Sequence, residues 1–382
     1  MDNFVHTDII CFSHLRWYFV YQRPQHILSR FAKHQRVFFF EEPVIGSEEF
    51  LEIKKADGDL FIVTPNLQEG DEEATLAGQR RMLDKLMSLM DIRKYISWYY
   101  SPLALRYSDH LQPSITVYDC MDELSAFRFA PKELKQMETL LYSKSDIVFT
   151  GGMCLYEARQ HLHDNIHCFP SSIDQEHFEK ARMPVIDPAD QAGIPHPRIG
   201  FYGVIDERFN TTLLQKLADQ QKQWHFVILG PMAKIDPKSL PTGDNIHFLG
   251  PKSYEELPLY LAGWDVAMMP FALNESTRYI SPTKTPEYLA GGKQVVSTSI
   301  KDVVRPYGDK KLVYIADTVN EFSAAINEAL ENKDNKEWLK EVDSFLSGNS
   351  WDLTVGNMRN LIFKAWEDKK RIPGIKQQQA YV

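Results

Sequence analysis

The sequence predicts an α/β protein built from two units, each a mostly parallel sheet covered by helices, with a cleft between them. Three observations predict this. Short continuous apolar runs alternate with amphipathic stretches, as strands buried on both faces alternate with helices. The sequence changes character at Lys180–Arg198, where Pro184, Pro188, Pro195 and Pro197 gather and large apolar side chains thin out. The length of 382 residues suits about two domains of ordinary size.

In the first half, buried strands are expected at Asp8–Phe12, Val37–Phe40, Tyr95–Tyr100, Ser114–Tyr118 and Asp146–Thr150. Between them, Pro24–Lys33 places Ile27, Leu28 and Phe31 on one helical face, and Pro131–Ser143 is a second helix. A hairpin at Leu51–Val63 interrupts the alternation. The proline-rich stretch reads as a linker. Strands then follow at Ile199–Tyr202, His225–Leu229, Ile246–Leu249, Asp265–Met269, Gln294–Ser297 and Leu312–Tyr314. Helices fall near Thr211–Gln221, Tyr254–Ala262, Thr285–Ala290 and Asn320–Asn332. After Ser350, Trp351, Val355, Met358, Leu361, Ile362 and Trp366 line the apolar side of a last helix, which must dock on another element. The tail from Lys369, with Gln377, Gln378 and Gln379, is expected to fray. Ligands of open parallel sheets bind outside the carboxyl ends of the strands, so two such edges facing one cleft suit a two-substrate reaction.

Composition narrows the class. The net charge of −9 argues against a nucleic-acid grip built on phosphate neutralisation, so no nucleic-acid partner is expected. With 43% hydrophobic and 25% charged residues, packed domains are expected rather than disorder. No apolar run approaches the roughly 18 residues that span a bilayer, and Met1-Asp2-Asn3-Phe4 lacks the features of a secretion signal. Cys11, Cys120, Cys154 and Cys168 are scattered, as reduced thiols in a cytoplasmic protein would be.

The most informative stretch runs from Ser281 to Ser297: a polar loop, a short helix, Gly291-Gly292 and a β-branched strand. Unpaired N–H groups at the helix start suit a phosphate, Lys284 adds positive charge, and Glu287 could accept from a ribose diol. The same residue types also fit a first-turn acid favoured by the helix dipole beside a solvated lysine.

Pro282-x-Lys284-x-x-Glu287-Tyr288-x-Ala290-x-Gly292 resembles the donor-site signature of GT-B glycosyltransferases of the family 4 type. Further matches come in the family's order: Phe201-Tyr202-Gly203, Val227-Ile228-Leu229-Gly230, His247-Phe248-Leu249-Gly250, Tyr254-x-Glu256-Leu257-Pro258 and Trp264-Asp265-Val266. Upstream, Ser145-Asp146-Ile147-Val148 and Pro170-Ser171-Ser172-Ile173-Asp174 resemble two further family elements. The resemblance covers about residues 8 to 366. It implies two Rossmann-like domains facing a central cleft, with the last helix crossing back. The domains would be an acceptor-side unit at 1–180, a nucleotide-sugar donor unit at 198–350, and the crossing helix at 351–368.

By the same resemblance, Glu287 would hold the donor ribose and the loop Ser281, Pro282, Thr283 and Lys284 would meet the pyrophosphate. Gly203 would supply the glycine turn, Arg208 a phosphate contact, and Gly250 with Pro251 the base pocket; Arg208 reads equally as a solvated loop residue. The family often has a second acid eight residues before the ribose Glu, on the sugar; here Tyr279 stands there, and Glu275 is too far upstream. Where a Gly-Gly loop usually follows the first strand, this chain has the aromatic, basic segment Ser13–His26. That segment resembles a bacterial subgroup that includes teichuronic-acid-type glycosyltransferases. Arg16, Trp17, Gln22 and Arg23 could shape the acceptor side or simply pack the first helix.

Tyr118-Asp119-Cys120-Met121-Asp122-Glu123 follows a strand, so its acids should sit at a carboxyl edge. Asp119 or Asp122 could orient or deprotonate an acceptor hydroxyl, or Asp122 could cap the helix beyond. A retaining enzyme, which family 4 implies, strictly needs no such base, because the donor phosphate can take the proton. Two other patterns read as structure. Asp57-Gly58-Asp59 matches a D-x-D metal motif but sits where a hairpin turn is expected. His161, His163, His167 and Cys168 have metal-like composition, yet His161 and His163 do not face each other on a helix, and no metal is expected.

The expected activity is transfer of a sugar from a nucleotide diphosphate sugar, UDP-sugar favoured and GDP-sugar possible, to a hydroxyl acceptor in cell-surface polysaccharide or glycoconjugate synthesis. No separate cofactor is implied. The acceptor would be a glycan or a lipid-linked glycan, reached from the cytoplasm with peripheral contact at the inner membrane face. The alternatives are a sugar-nucleotide epimerase of the same fold and a catalytically silent nucleotide-sugar-binding protein.

Overall fold

The computed structural model describes residues 7–371. The first half folds around a nine-stranded sheet. Its strands are β1 (Asp8–Phe12), β2 (Val37–Phe40), β3 (Val44–Gly46), β4 (Phe50–Lys55), β5 (Leu60–Gln68), β6 (Tyr95–Tyr99), β7 (Ile115–Cys120), β8 (Ile147–Thr150) and β9 (Ile166–Cys168). The order is β3-β5-β2-β1-β6-β7-β8-β9, with β4 paired antiparallel to β5 and every other pairing parallel.

The apolar runs are continuous because both faces of this sheet are covered. Ile9, Cys11, Val37 and Phe39 face one way, into a core shared with Trp351, Val355, Met358 and Ile362 of the last helix. Ile10, Phe12, Phe38 and Phe40 face the other way, against Met82, Leu83 and Leu86 of helix Glu72–Leu89. That 18-residue helix was not anticipated from the sequence, nor were helix Lys336–Leu346 and the three-residue strands β3 and β9. The Asp57-Gly58-Asp59 segment is the turn between β4 and β5, with Gly58 at φ +64°.

The second sheet has six parallel strands: β10 (Arg198–Tyr202), β11 (His225–Leu229), β12 (Ile246–Gly250), β13 (Val266–Met269), β14 (Val295–Ser297) and β15 (Tyr314–Ile315). Their order, β12-β11-β10-β13-β14-β15, is the 3-2-1-4-5-6 order of a dinucleotide-binding sheet. In both sheets the order reverses beside the first strand, between β1 and β6 and between β10 and β13, which is where a crevice opens.

The stretch read as a linker is folded onto the second unit. Arg198 pairs with Asp187 at 2.6 Å, Trp264 Nε1 donates to Gln191 Oε1 at 2.9 Å, and Ile194 joins the second core. Ile173, Phe178 and Ala181 belong to that core as well. The last helix, Trp351–Arg371, returns to the first sheet and is tied there by Arg30–Asp352 at 3.1 Å and Lys369–Asp146 at 2.8 Å. Lys369 therefore lies in an anchored helical turn rather than in a fraying tail, while Gln377–Gln379 fall outside the described residues. Among the described residues no helix is long and apolar enough to cross a membrane.

Candidate functional site

The carboxyl edge of the second sheet is shaped by two glycines. Gly203, after β10, has φ +148°, and a Cβ there would lie 2.3 Å from Lys284 Cε. Gly230, after β11, has φ +135°, and a Cβ there would lie 1.9 Å from the Gly203 carbonyl oxygen. A side chain at Gly203 would take the space of Lys284, and one at Gly230 would strike the Gly203 backbone. Lys284 opens the helix Lys284–Ala290, one turn before Glu287. Glu287 is 5% exposed, and Tyr202 Oη donates to its Oε2 at 2.7 Å. Tyr202 is itself fixed, because its N–H donates to Tyr288 Oη at 2.9 Å.

Burial pushes the Glu287 carboxyl up to about 7, against the opposing pull of the Tyr202 hydroxyl and Lys284. Burial likewise lowers Lys284, with Glu287 pulling the other way. Among the described residues no ion pair or hydrogen bond holds Lys284 Nζ. The two side chains open into a hollow of about 330 Å³, which Trp17, Tyr21, Pro251 and Tyr254 also line.

Thr283, Lys284, Val20 and Tyr21 are shared with a second hollow of about 120 Å³, which carries Ser281, Pro282, Arg23, Asp122 and Arg208. Ser171 Oγ donates to the Ser281 carbonyl at 2.6 Å and so ties the loop to the first unit. Arg208 pairs with Asp206, Nη2 to Oδ2 at 2.6 Å, and its guanidinium lies 5.2 Å from the Phe127 ring centre. Burial raises the Asp122 carboxyl, with Arg208 the strongest opposing charge. Its carboxylate oxygens have no hydrogen-bond donor among the described residues. A third hollow of about 280 Å³ continues past Asp122, Arg208 and Gln22 along the first unit.

The two acids after β7 thus have different surroundings. Asp119 is 0% exposed and locked to Arg23, Nε to Oδ1 at 3.0 Å and Nη2 to Oδ1 at 2.9 Å. Arg23 Nη1 also donates to the Phe169 carbonyl at 2.6 Å, which fixes the pair beneath the edge. Asp119 lines none of the three hollows, whereas Asp122 lines two of them.

Other residues singled out in the sequence are distributed unevenly. Trp17 lines the first hollow while its ring packs edge-on against Phe39 at 5.0 Å. Its N–H donates to Glu41 Oε1 at 2.7 Å. Arg16 turns away to Glu41 at 3.0 Å and the Pro43 carbonyl at 3.1 Å. Gln22 lines the second and third hollows and starts the helix Arg23–Phe31. Gly250, at φ +73°, accepts from Gly230 N–H at 2.8 Å and lines none of the three hollows, unlike Pro251. Tyr279 is not brought to the donor edge. The capped turn Glu275–Thr277 carries it into a separate surface hollow with Glu275, where Arg278 lies 5.3 Å from its ring centre.

Sequence reasoning missed Tyr202 as the residue that holds Glu287, and Tyr254, whose ring stacks on Tyr21 across the cleft at 4.2 Å and on His177 at 4.3 Å. A tyrosine ending a strand just before a glycine turn was the available signal for Tyr202. His163 bonds the Ser145 carbonyl at 2.9 Å and His167 bonds Asn165 at 2.9 Å. Among the described residues no group of three or more His, Cys, Asp or Glu could hold a metal ion.

Residues 196–332 match the family model described as Glycosyl transferases group 1. A protein of Bacillus subtilis (strain 168) named "Putative teichuronic acid biosynthesis glycosyltransferase" is 25% identical over 225 residues, 52% of this chain. The match spans 56% of that protein's own length. Among solved structures, sucrose-phosphate synthase from Thermosynechococcus elongatus superposes with a TM-score of 0.70 at 13% identity, over 95% of this chain and 100% of that one. A protein of Anabaena, in complex with UDP and glucose, gives 0.66 at 13% identity, over 93% and 99%. An E. coli structure titled trehalose-6-phosphate, bound with UDP-2-fluoro glucose, gives 0.63 at 13% identity, over 96% and 99%. These likenesses identify the fold as GT-B.

Proposed function

We propose that this chain, a GT-B protein carrying a glycosyl transferases group 1 domain at residues 196–332, is a glycosyltransferase that uses a nucleotide diphosphate sugar. The observation that carries this reading is the pairing of Lys284, which no ion pair holds among the described residues, with a buried, Tyr202-held Glu287 in one hollow, at the reversal point of the second sheet. A diphosphate needs a local cation and a ribose diol needs an acceptor, and both stand here one helical turn apart.

In this reading Glu287 accepts from the ribose hydroxyls, Lys284 and Arg208 neutralise the diphosphate, and Pro251 flanks the base. UDP is the favoured base carrier, in keeping with the UDP and UDP-2-fluoro glucose bound in two structures of the same fold. The sugar's anomeric carbon then lies towards Asp122, in the second hollow. The acceptor oxygen bonds to that carbon as the bond to the leaving phosphate oxygen breaks. With retention, the acceptor proton passes to that phosphate oxygen, and Asp122 orients the acceptor hydroxyl. The unit at 1–180 takes the acceptor, the unit at 198–350 takes the donor, and the helix at 351–368 joins them. The acceptor is a glycan or lipid-linked glycan of polysaccharide synthesis, met at the inner membrane face.

The test is incubation with UDP-, GDP- and ADP-sugars and a panel of sugar acceptors, followed for released nucleotide and glycoside product. Transfer supports the reading. Isomerised donor without transfer would mark an epimerase, and tight donor binding without turnover a silent binding protein.

A further inference from the structure

We propose that the third hollow is an aglycone subsite: the acceptor carries an apolar group about the size of one aromatic ring or a short alkyl chain beside the sugar that reacts. This rests on the glycosyltransferase reading and deepens it. The hollow holds about 280 Å³ and adjoins the reaction chamber through Asp122 and Arg208, which line both.

Its walls are unusual for a sugar-only site. Leu15, Leu103, Leu124 and Phe127 are half-buried, yet none belongs to any of the three hydrophobic cores or packs against one. They instead face the hollow, where apolar surface gains only if a ligand covers it. Phe129, 80% exposed, stands at the rim with φ +68°, a conformation that costs a bulky residue energy and gathers at functional sites. Phe19, 47% exposed, lines the same hollow.

Polar residues share this space, among them Asp122, Asp206, Arg208, Lys234 and His14. His14 Nδ1 is buried and has no hydrogen-bond partner among the described residues. Burial and the nearby Lys234 lower its imidazole to about 4, so at neutral pH it is uncharged and can donate to or accept from a hydroxyl. An unpaired buried nitrogen and charged groups beside apolar side chains fit an amphipathic ligand, with one or two hydroxyls near Asp122 and His14 and an apolar remainder against Leu124 and Phe129.

The experiment compares methyl, hexyl and phenyl glycosides of several hexoses, in two arms. Direct binding is measured by ligand-observed NMR with the full chain saturated in UDP. Transfer is measured by product formation with UDP-sugars. Phenyl and hexyl glycosides should bind about tenfold tighter than their methyl counterparts, with the gain in KM rather than kcat. Leu124→Ser and Phe129→Ala, in side chains outside the cores, should each remove most of that preference while leaving UDP affinity unchanged. Equal binding of methyl and phenyl glycosides, or a preference that survives both substitutions, would overturn the subsite. If no donor is turned over but the aglycone preference in binding persists, the subsite stands and the transferase reading falls. If transfer proceeds with methyl glycosides as well as with phenyl, the reverse holds.

Discussion

Tyr202 Oη donates to Glu287 Oε2 at 2.7 Å, so the last residue of β10 holds the one acid of the donor helix in place. The bond joins two elements 85 residues apart and leaves the rest of the carboxylate facing the hollow. It also opposes the upward push of burial on Glu287. Tyr202→Phe should therefore raise the Glu287 pKa further and weaken UDP binding several-fold at pH 7, because less of the acid is ionised to accept from ribose. Calorimetric titration from pH 6 to 9 checks this: the wild-type affinity should rise as pH passes about 7, and the variant's rise should come at higher pH.

The same group sets a stability cost. Its folded pKa of about 7 exceeds the unfolded value of 4.5, so the folded state holds the proton more tightly. Stability from this group is fully present below pH 4.5 and is lost as pH rises towards 7. Glu287→Gln cannot ionise and keeps an acceptor for Tyr202. Thermal melts should show it about as stable as wild type at pH 4 and more stable at pH 8, by up to about 3 kcal/mol. UDP affinity should fall in the same variant.

Gly203 makes room for Lys284. Gly203→Ala puts a Cβ 2.3 Å from Lys284 Cε on a backbone at φ +148°, so the lysine must leave its place. Binding of UDP should weaken about tenfold or more, whereas uridine, with no diphosphate, should lose much less. Parallel titrations with the two ligands check the difference.

The acids after β7 should separate in kind. Asp119→Asn leaves the buried Arg23 guanidinium without its counter-charge and should cost about 3–5 kcal/mol in stability, read from urea denaturation. Asp122→Asn, in a carboxylate with no partner, should leave stability nearly unchanged and lower transfer to acceptors at unchanged donor affinity.

Much of the fold was legible because the strands are buried on both faces. Asp8–Phe12, Val37–Phe40 and Val266–Met269 stand out as short runs in which nearly every residue is apolar. The donor helix was legible too, since Lys284 and Glu287 lie a fixed turn apart in a local motif. Helix Glu72–Leu89 was not, because only a narrow stripe, Gly78, Gln79, Met82, Leu83 and Leu86, is buried on an otherwise polar surface. The linker misled because its prolines hide Gln191 and Ile194, whose burial depends on Trp264 and the second core. Tyr279 could not be placed by spacing from Glu287, because the capped turn at Asn274–Thr277 redirects the chain between them. Asp119 and Asp122, three positions apart, look alike in sequence; only Arg23, 96 residues away, tells them apart.

The account turns on Glu287 as the residue that receives the donor nucleotide. Calorimetric titration of UDP into wild type and Glu287→Ala, at pH 8 where the carboxylate is ionised, tests this most directly. Saturable binding by the wild type and a loss of about tenfold or more in the variant, which still melts in one cooperative transition, is the expected result. Equal affinity in the two proteins would contradict the donor site and the function built on it.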